Sequence, residues 1–134
     1  MPTHLLTVLP TFLAYFAVAI VLLAVFLLVY VNATPYDEFA LVRAGNSAAA
    51  ISLCGALFGF ALPVANAIAH SDTIADLLAW GGIAGIIQIL AYLVVRFTLP
   101  NINEDIPAGK TAPAIFLAVI SLTVGLVSAA CMSY

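Results

Sequence analysis

Few side chains in this chain have the chemistry to bind or react, and Gln88 is the most unusual of them. It lies in Ile87-Gln88-Ile89, in the middle of a long apolar run. An unpaired amide in hydrocarbon is costly, so Gln88 has to face protein or water. Two roles stay open at this point. The amide either bridges two helices by a hydrogen bond or lines a polar path or ligand site.

Four of the six acidic residues occur in two short segments, Asp37-Glu38 and Glu104-Asp105. Each segment lies between a proline and an Ala-Gly pair. The residue after this pair is Asn46 in the first half of the chain and Lys110 in the second. The two acidic segments predict solvated loop charges, a cation-binding mouth or a surface that docks a partner.

Arg96 ends the apolar run that contains Gln88. We expect its side chain either to reach the lipid headgroups or to pair with one of the loop acids. Together with Gln88, Glu38, Asn46 and Glu104, it completes the set of candidate functional polar residues.

Catalytic motifs are missing from the sequence. It has no nucleophile elbow, phosphate-binding loop, zinc signature or pair of carboxylates within an apolar run. We therefore expect no enzyme activity, no cofactor and no metal site. Coupled transporters often need an acid deep in a helix, so its absence also weakens the case for active transport.

Composition indicates that the solvent of this chain is lipid. Of its 134 residues, 66% are hydrophobic and 7% are charged, whereas soluble domains carry about 25% charged residues. About 20 apolar residues in a helix cross a bilayer, and four runs reach that length: Leu5–Val31, Ala48–Ala69, Leu77–Val95 and Ala112–Met132. The prediction is an all-α membrane protein with four transmembrane helices. Without a basic patch, no nucleic-acid partner is expected.

The two halves of the chain resemble each other. Four short matches occur in the same order in both halves, which is the pattern of an internal repeat. The matched positions are about 65 residues apart in the first part of each half and about 64 residues apart in the second. The matches are Ala14-Tyr15 with Ala79-Trp80, Pro35 with Pro100, Ala44-Gly45 with Ala108-Gly109, and Ala50-Ile51 with Ala114-Ile115. The pattern predicts two tandem helical hairpins, residues 1–70 and 71–134, in the same orientation.

Small residues at four-residue spacing predict where the helices approach closely, because helices in lipid associate by tight packing. The packing candidates are Gly55, Gly59, Gly81, Gly85 and Gly125. The first run carries bulky residues instead, such as Val21-Leu22-Leu23, and is expected to face lipid.

All three basic residues, Arg43, Arg96 and Lys110, fall on one side of a four-helix arrangement. Since basic residues stay in the cytoplasm, both termini are predicted on the outer side of the membrane.

The sequence resembles the YjfL family of bacterial inner-membrane proteins. The resemblance rests on Thr34-Pro35 with Glu38, on Asn46-Ser47-Ala48-Ala49, and on Gly55, Gly59 and Pro63, and it continues through Ala79-Trp80-Gly81-Gly82-Ile83-Ala84, Ile87-Gln88, Arg96, Pro100 and the tail from Ala129 to Tyr134. Lys110 departs from the pattern, which has an Asn there. The resemblance implies an inner-membrane location and four helices. Similar proteins occur beside genes linked to envelope stress and polyamine conjugation. It implies no activity.

Two functions remain from these observations. The first is a homo-oligomeric structural component of the inner membrane that docks a cytoplasmic or membrane partner through its acidic loops. The alternative is a small channel or transporter with a path at a subunit interface, lined by Gln88.

Overall fold

The computed structural model describes residues 2–132, with side chains from 5 to 132, and this part of the chain is helical without strands. Six helices follow one another: α1 (Pro2–Ala33), α2 (Glu38–Arg43), α3 (Ser47–His70), α4 (Ile74–Thr98), α5 (Ile102–Asp105) and α6 (Thr111–Cys131). Four of them, α1, α3, α4 and α6, are long and apolar enough to cross a membrane. The predicted all-α fold with four spans is thus confirmed.

The helix starts follow from side chains that accept hydrogen bonds from free backbone N–H groups. Asp37 accepts from Ala40 N at 3.2 Å at the start of α2, and Thr73 accepts from Asp76 N at 3.1 Å at the start of α4. At the start of α6, Lys110 occupies the cap position and makes no such bond. Thr111 is the first helical residue of α6.

Two loops, residues 34–46 and 99–110, close with the same backbone pattern, and we call them the inner loops after the side of the membrane that the sequence predicts for them. Gly45 and Gly109 have φ angles of 88° and 83°, in the left-handed region that glycine adopts without steric cost. Gly45 N donates to Val42 O and Asn46 N to Leu41 O; the same two bonds recur 64 positions later, from Gly109 N to Ile106 O and from Lys110 N to Asp105 O.

Helices α3 and α6 form the centre of the bundle and share its largest interface. A Cβ atom added at Gly55 would overlap Ala118, and one added at Gly125 would lie 2.7 Å from the Cα of Gly59. Near the other end of α3, Asn66 Nδ2 donates to the carbonyl of Ala129 at 2.8 Å. Residue numbers rise together along this interface, so α3 and α6 run in the same direction.

Helix α1 lies at the side of the bundle, against α3 and α4. Its ring of Phe26 stacks on Phe60 of α3 with 4.4 Å between centroids, and Leu22 fills the space in front of Gly81 of α4. Only 11% of the α1 span is buried, compared with 50% of the α3 span. Helix α1 therefore presents most of its bulky side chains to the surroundings of the protein, as its sequence predicts.

Candidate functional site

Gln88 lies where three helices meet. Its side chain is 1% exposed, and its Nε2 donates to the carbonyl of Ser121 on α6 at 3.0 Å. A Cβ added at Gly59 of α3 would lie 2.9 Å from the same Nε2. The amide therefore joins α4 to the α3–α6 seam, while its Oε1 has no hydrogen-bond partner among the described residues.

Asn46 connects the two inner loops. Its Oδ1 caps α3 by accepting from Ala49 N at 3.0 Å. Its Nδ2 donates to the carbonyls of Ile106 and Pro107 at 3.0 and 3.1 Å. One side chain thus ends the loop of the first half of the chain and fixes the position of the loop of the second half.

Glu38 is the most deeply buried charged residue of the described chain, with 0% exposure. Its Oε1 is hydrogen-bonded to Oγ1 of Thr34, the residue that follows α1. Among the described residues, its Oε2 and the hydroxyl of Tyr30 have no hydrogen-bond partner. Burial raises the pKa of Glu38 to about 7, and the charge of Asp37 also raises it, whereas the hydrogen bond from Thr34 acts in the opposite direction.

Aromatic residues from two helices surround this carboxyl. The rings of Tyr30 on α1 and Tyr92 on α4 meet edge to face with 5.6 Å between centroids. Tyr92 donates its hydroxyl hydrogen to Oδ1 of Asn103 in α5 at 2.6 Å. Burial, followed by the charge of Glu38, raises the pKa of Tyr36 well above its ordinary value. We call Tyr30, Thr34, Tyr36, Glu38 and Tyr92 the inner polar cluster.

This burial corrects one interpretation of the sequence. Glu38 is not a solvated loop charge, because its side chain is 0% exposed and other side chains cover its carboxyl. Tyr30, which is 1% exposed, packs in the same cluster.

The remaining candidate charges lie on the surface. Arg96 and Glu104 are both exposed. Among side chains 5–132, the one ion pair joins Lys110 Nζ to Asp105 Oδ1 at 3.4 Å, so Arg96 does not pair with a loop acid in this structure. The packing candidates lie at helix contacts: Gly55, Gly59 and Gly125 at the α3–α6 seam, Gly81 against Leu22, and Gly85 against Phe60.

Sequence reasoning missed Tyr92, Asn103 and the two short helices. Tyr92 reads as one more aromatic residue in an apolar run, and nothing local shows that it meets Tyr30. One signal was present: Asp37 and Asn101 stand directly before α2 and α5, and Asp and Asn are common at helix starts. Among the described residues, no group of three or more His, Cys, Asp or Glu side chains is placed to hold a metal ion.

Comparisons with known proteins agree with a membrane protein. The inner membrane protein YjfL of Escherichia coli K12 is 36% identical over 131 residues, which cover 98% of this chain and 99% of that protein. The transmembrane protein YshE of Bacillus subtilis 168 is 27% identical over 119 residues, or 87% of this chain and 89% of that protein. No solved structure matches the chain.

The family model of a domain of unknown function, DUF350, matches residues 4–132. This range holds all six helices apart from the first residues of α1. The resemblance to the YjfL family that the sequence motifs indicate is therefore confirmed, and the chain belongs to the DUF350 family of multi-pass membrane proteins.

Proposed function

We propose that this protein is a homo-oligomeric structural component of the bacterial inner membrane that docks a partner at its inner loops and catalyses no reaction. The observation that supports it best is the position of Gln88. A path for ions or small polar molecules has to be wet, and the amide of Gln88 is 1% exposed and bonded to a neighbouring helix.

The grooves of the bundle also favour this proposal over transport. A groove of about 390 Å³ between α1 and α4 is lined by apolar residues, among them Leu22, Phe26, Gly85 and Ile89. Such walls suit acyl chains and offer no hydrogen bonds to replace the water shell of an ion. At the centre of the four helices, α3 and α6 pack closely at Gly55, Gly59 and Gly125.

The docking surface we propose consists of Asp37 and Glu104, which are exposed at the two inner loops. Asn46 holds these loops together through its bonds to Ile106 and Pro107, so the two acids belong to one continuous face. A partner with a basic segment fits such a face. The family resemblance suggests that this docking takes place during envelope stress.

Tandem hairpins in one orientation, residues 1–70 and 71–134, are part of the proposal. The same hydrogen-bond pattern in both inner loops and the common direction of α3 and α6 support it. A bundle of four helices with a small core also leaves α1 free to contact a second copy, which supports a homo-oligomer. Light scattering of the detergent-solubilised protein tests this, and a monomeric mass would contradict it.

A flux measurement tests the proposed function. The purified protein in liposomes is expected to release potassium, sodium, chloride or a polyamine no faster than protein-free liposomes do, and Gln88→Leu is expected to behave the same way. The measurement is the decay of an imposed gradient, followed with an ion-selective dye. Flux through the wild type that Gln88→Leu abolishes would overturn the proposal in favour of a channel at a subunit interface.

The orientation is a separate prediction. With both termini outside, a cysteine at position 43 is expected to react with a membrane-impermeant maleimide only after the cells are opened. A cysteine at position 72 is expected to react in intact spheroplasts. Cys54 and Cys131 are replaced by Ala beforehand, because both are free and exposed in the structure. Labelling of position 43 from outside would reverse the topology.

A further inference from the structure

The inner polar cluster holds a carboxyl group that the fold does not need. Glu38 begins α2 and Ile102 begins α5, and the shared loop hydrogen bonds make the two positions equivalent, 64 residues apart. Both side chains are 0% exposed. Since the second loop fills the position with a hydrocarbon, the first loop gains nothing in packing from a carboxyl there. An ionisable group kept where an apolar one fits points to a role other than stability.

The number of hydrogen atoms available around Thr34 favours the protonated carboxyl of Glu38 over the carboxylate. Three oxygens accept from or contact Thr34 Oγ1: the carbonyls of Val31 and Tyr36, at 3.1 and 3.4 Å, and Oε1 of Glu38. A hydroxyl has a single hydrogen to donate. If Glu38 is ionised, that hydrogen serves three acceptors. If Glu38 is protonated, its own O–H donates to Thr34 Oγ1, and the Thr34 hydrogen serves a backbone carbonyl.

The groups around the carboxyl supply no positive charge to stabilise an ion. From α1 it faces Tyr30, from its own loop Tyr36 and Asp37, and from α4 Tyr92. Helix α3 contributes the hydroxyl of Ser52, whose hydrogen goes to the carbonyl of Ala49 at 3.1 Å. Arg96 is exposed and acts on Tyr92.

The unpartnered oxygens make the site able to exchange a proton. Among the described residues, Oε2 of Glu38 and the hydroxyl of Tyr30 are buried without hydrogen-bond partners, and the hydroxyl of Tyr36 lies beside that of Ser52. A phenol donates to a carboxylate and accepts from a carboxylic acid, so these hydroxyls can rotate to serve either form. The cluster can therefore hold Glu38 in both protonation states with different hydrogen-bond arrangements.

We propose that Glu38 is a reversible proton-binding site at the inner ends of α1 and α4, with the hydroxyls of Thr34, Tyr30 and Tyr36 as its hydrogen-bond partners. The reaction is the addition of one proton from the surrounding solution to the carboxylate, with formation of one O–H bond, and its reversal. Desolvation of the carboxyl places this exchange in the neutral range. The inference goes beyond the docking role and does not rest on it.

Direct titration of the carboxyl tests the proposal, and the sequence makes it simple because Glu38 and Glu104 are the two glutamates of the chain. The protein is labelled with glutamate carrying ¹³C at the side-chain carboxyl, placed in nanodiscs and followed by NMR from acid to alkaline pH. One signal is expected to titrate with a midpoint near 7. It is expected to remain in Glu104→Gln and to disappear in Glu38→Gln.

The assignment does not depend on a folded Glu38→Gln variant, since the signal that survives in Glu104→Gln belongs to Glu38. A surviving signal that titrates in the ordinary acidic range of glutamate, about 4.3, would overturn the proposal. A midpoint that shifts when sodium chloride replaces choline chloride at equal ionic strength would also overturn it, because the cluster would then be a site for a metal cation.

Discussion

Gly59→Ala is expected to destabilise the protein by about 3 kcal/mol, at the upper end of the cost of overpacking a core. The added methyl would overlap the carbonyl oxygen of Ser121 and lie 2.8 Å from its carbonyl carbon and 2.9 Å from Gln88 Nε2. Backbone atoms cannot rotate away as a side chain can, so α3 and α6 have to separate. Separation also lengthens the Gln88–Ser121 bond. The measurement is the midpoint of unfolding in detergent, followed by circular dichroism.

Gly82→Ala is the matched control, since a Cβ at Gly82 has no atom within 4 Å. Both substitutions change helix propensity equally, by about 1 kcal/mol in favour of Ala in water. The difference between the two variants therefore measures the helix contact alone. Equal stability of Gly59→Ala and Gly82→Ala would contradict the seam described here. A smaller effect of Gln88→Leu in Gly59→Ala than in the wild type would show that the two sites are coupled.

The second expected result is a loss of about 3 kcal/mol of stability as the pH rises from about 4.5 to about 7, owing to Glu38. Burial raises the pKa of Glu38 in the folded protein, so in this window the folded state binds a proton that the unfolded state has released. Stability therefore falls as the pH rises. Below the unfolded pKa the contribution of the neutral carboxyl is fully present, and above the folded pKa the loss is complete.

Glu38→Gln is expected to abolish this pH dependence, because a neutral amide replaces the group at similar size. The quantity to compare is the difference in unfolding free energy between wild type and variant at several pH values. Glu104→Gln, which changes an exposed glutamate, serves as the control and should keep the wild-type profile. A wild type whose stability rises between pH 4.5 and 7, relative to Glu38→Gln, would show that the carboxyl is stabilised as an ion.

The transmembrane spans of this protein are predictable from its sequence because the bilayer requires each span to be a long run of apolar residues. Helix α3 begins at Ser47 and α6 at Thr111, each one residue before the predicted start. The close contact at Gly59 is also visible as a pattern of small residues. The sequence does not show which neighbouring helix packs against each glycine, because this depends on how the four helices are rotated relative to one another.

Burial of Glu38 was not predictable for a related reason. The residues Tyr36-Asp37-Glu38 read as an exposed loop, and the neighbours that cover the carboxyl come from α1, α3 and α4. Tyr30 and Tyr92 lie in separate helices and meet only in the folded bundle. Local sequence reports the polarity of a residue, whereas its surroundings depend on contacts between distant segments.

The central seam also sets an order of events during synthesis. Gly55 and Gly59 leave the ribosome early, but the residues they contact, Ala118, Ser121 and Gly125, belong to the last helix. The hydrogen bond from Gln88 to the carbonyl of Ser121 likewise forms only after α6 has been made. Until α6 enters the bilayer, α3 packs against α1, α2 and α4 but lacks its largest interface. The central seam of this protein therefore closes only when α6 is inserted.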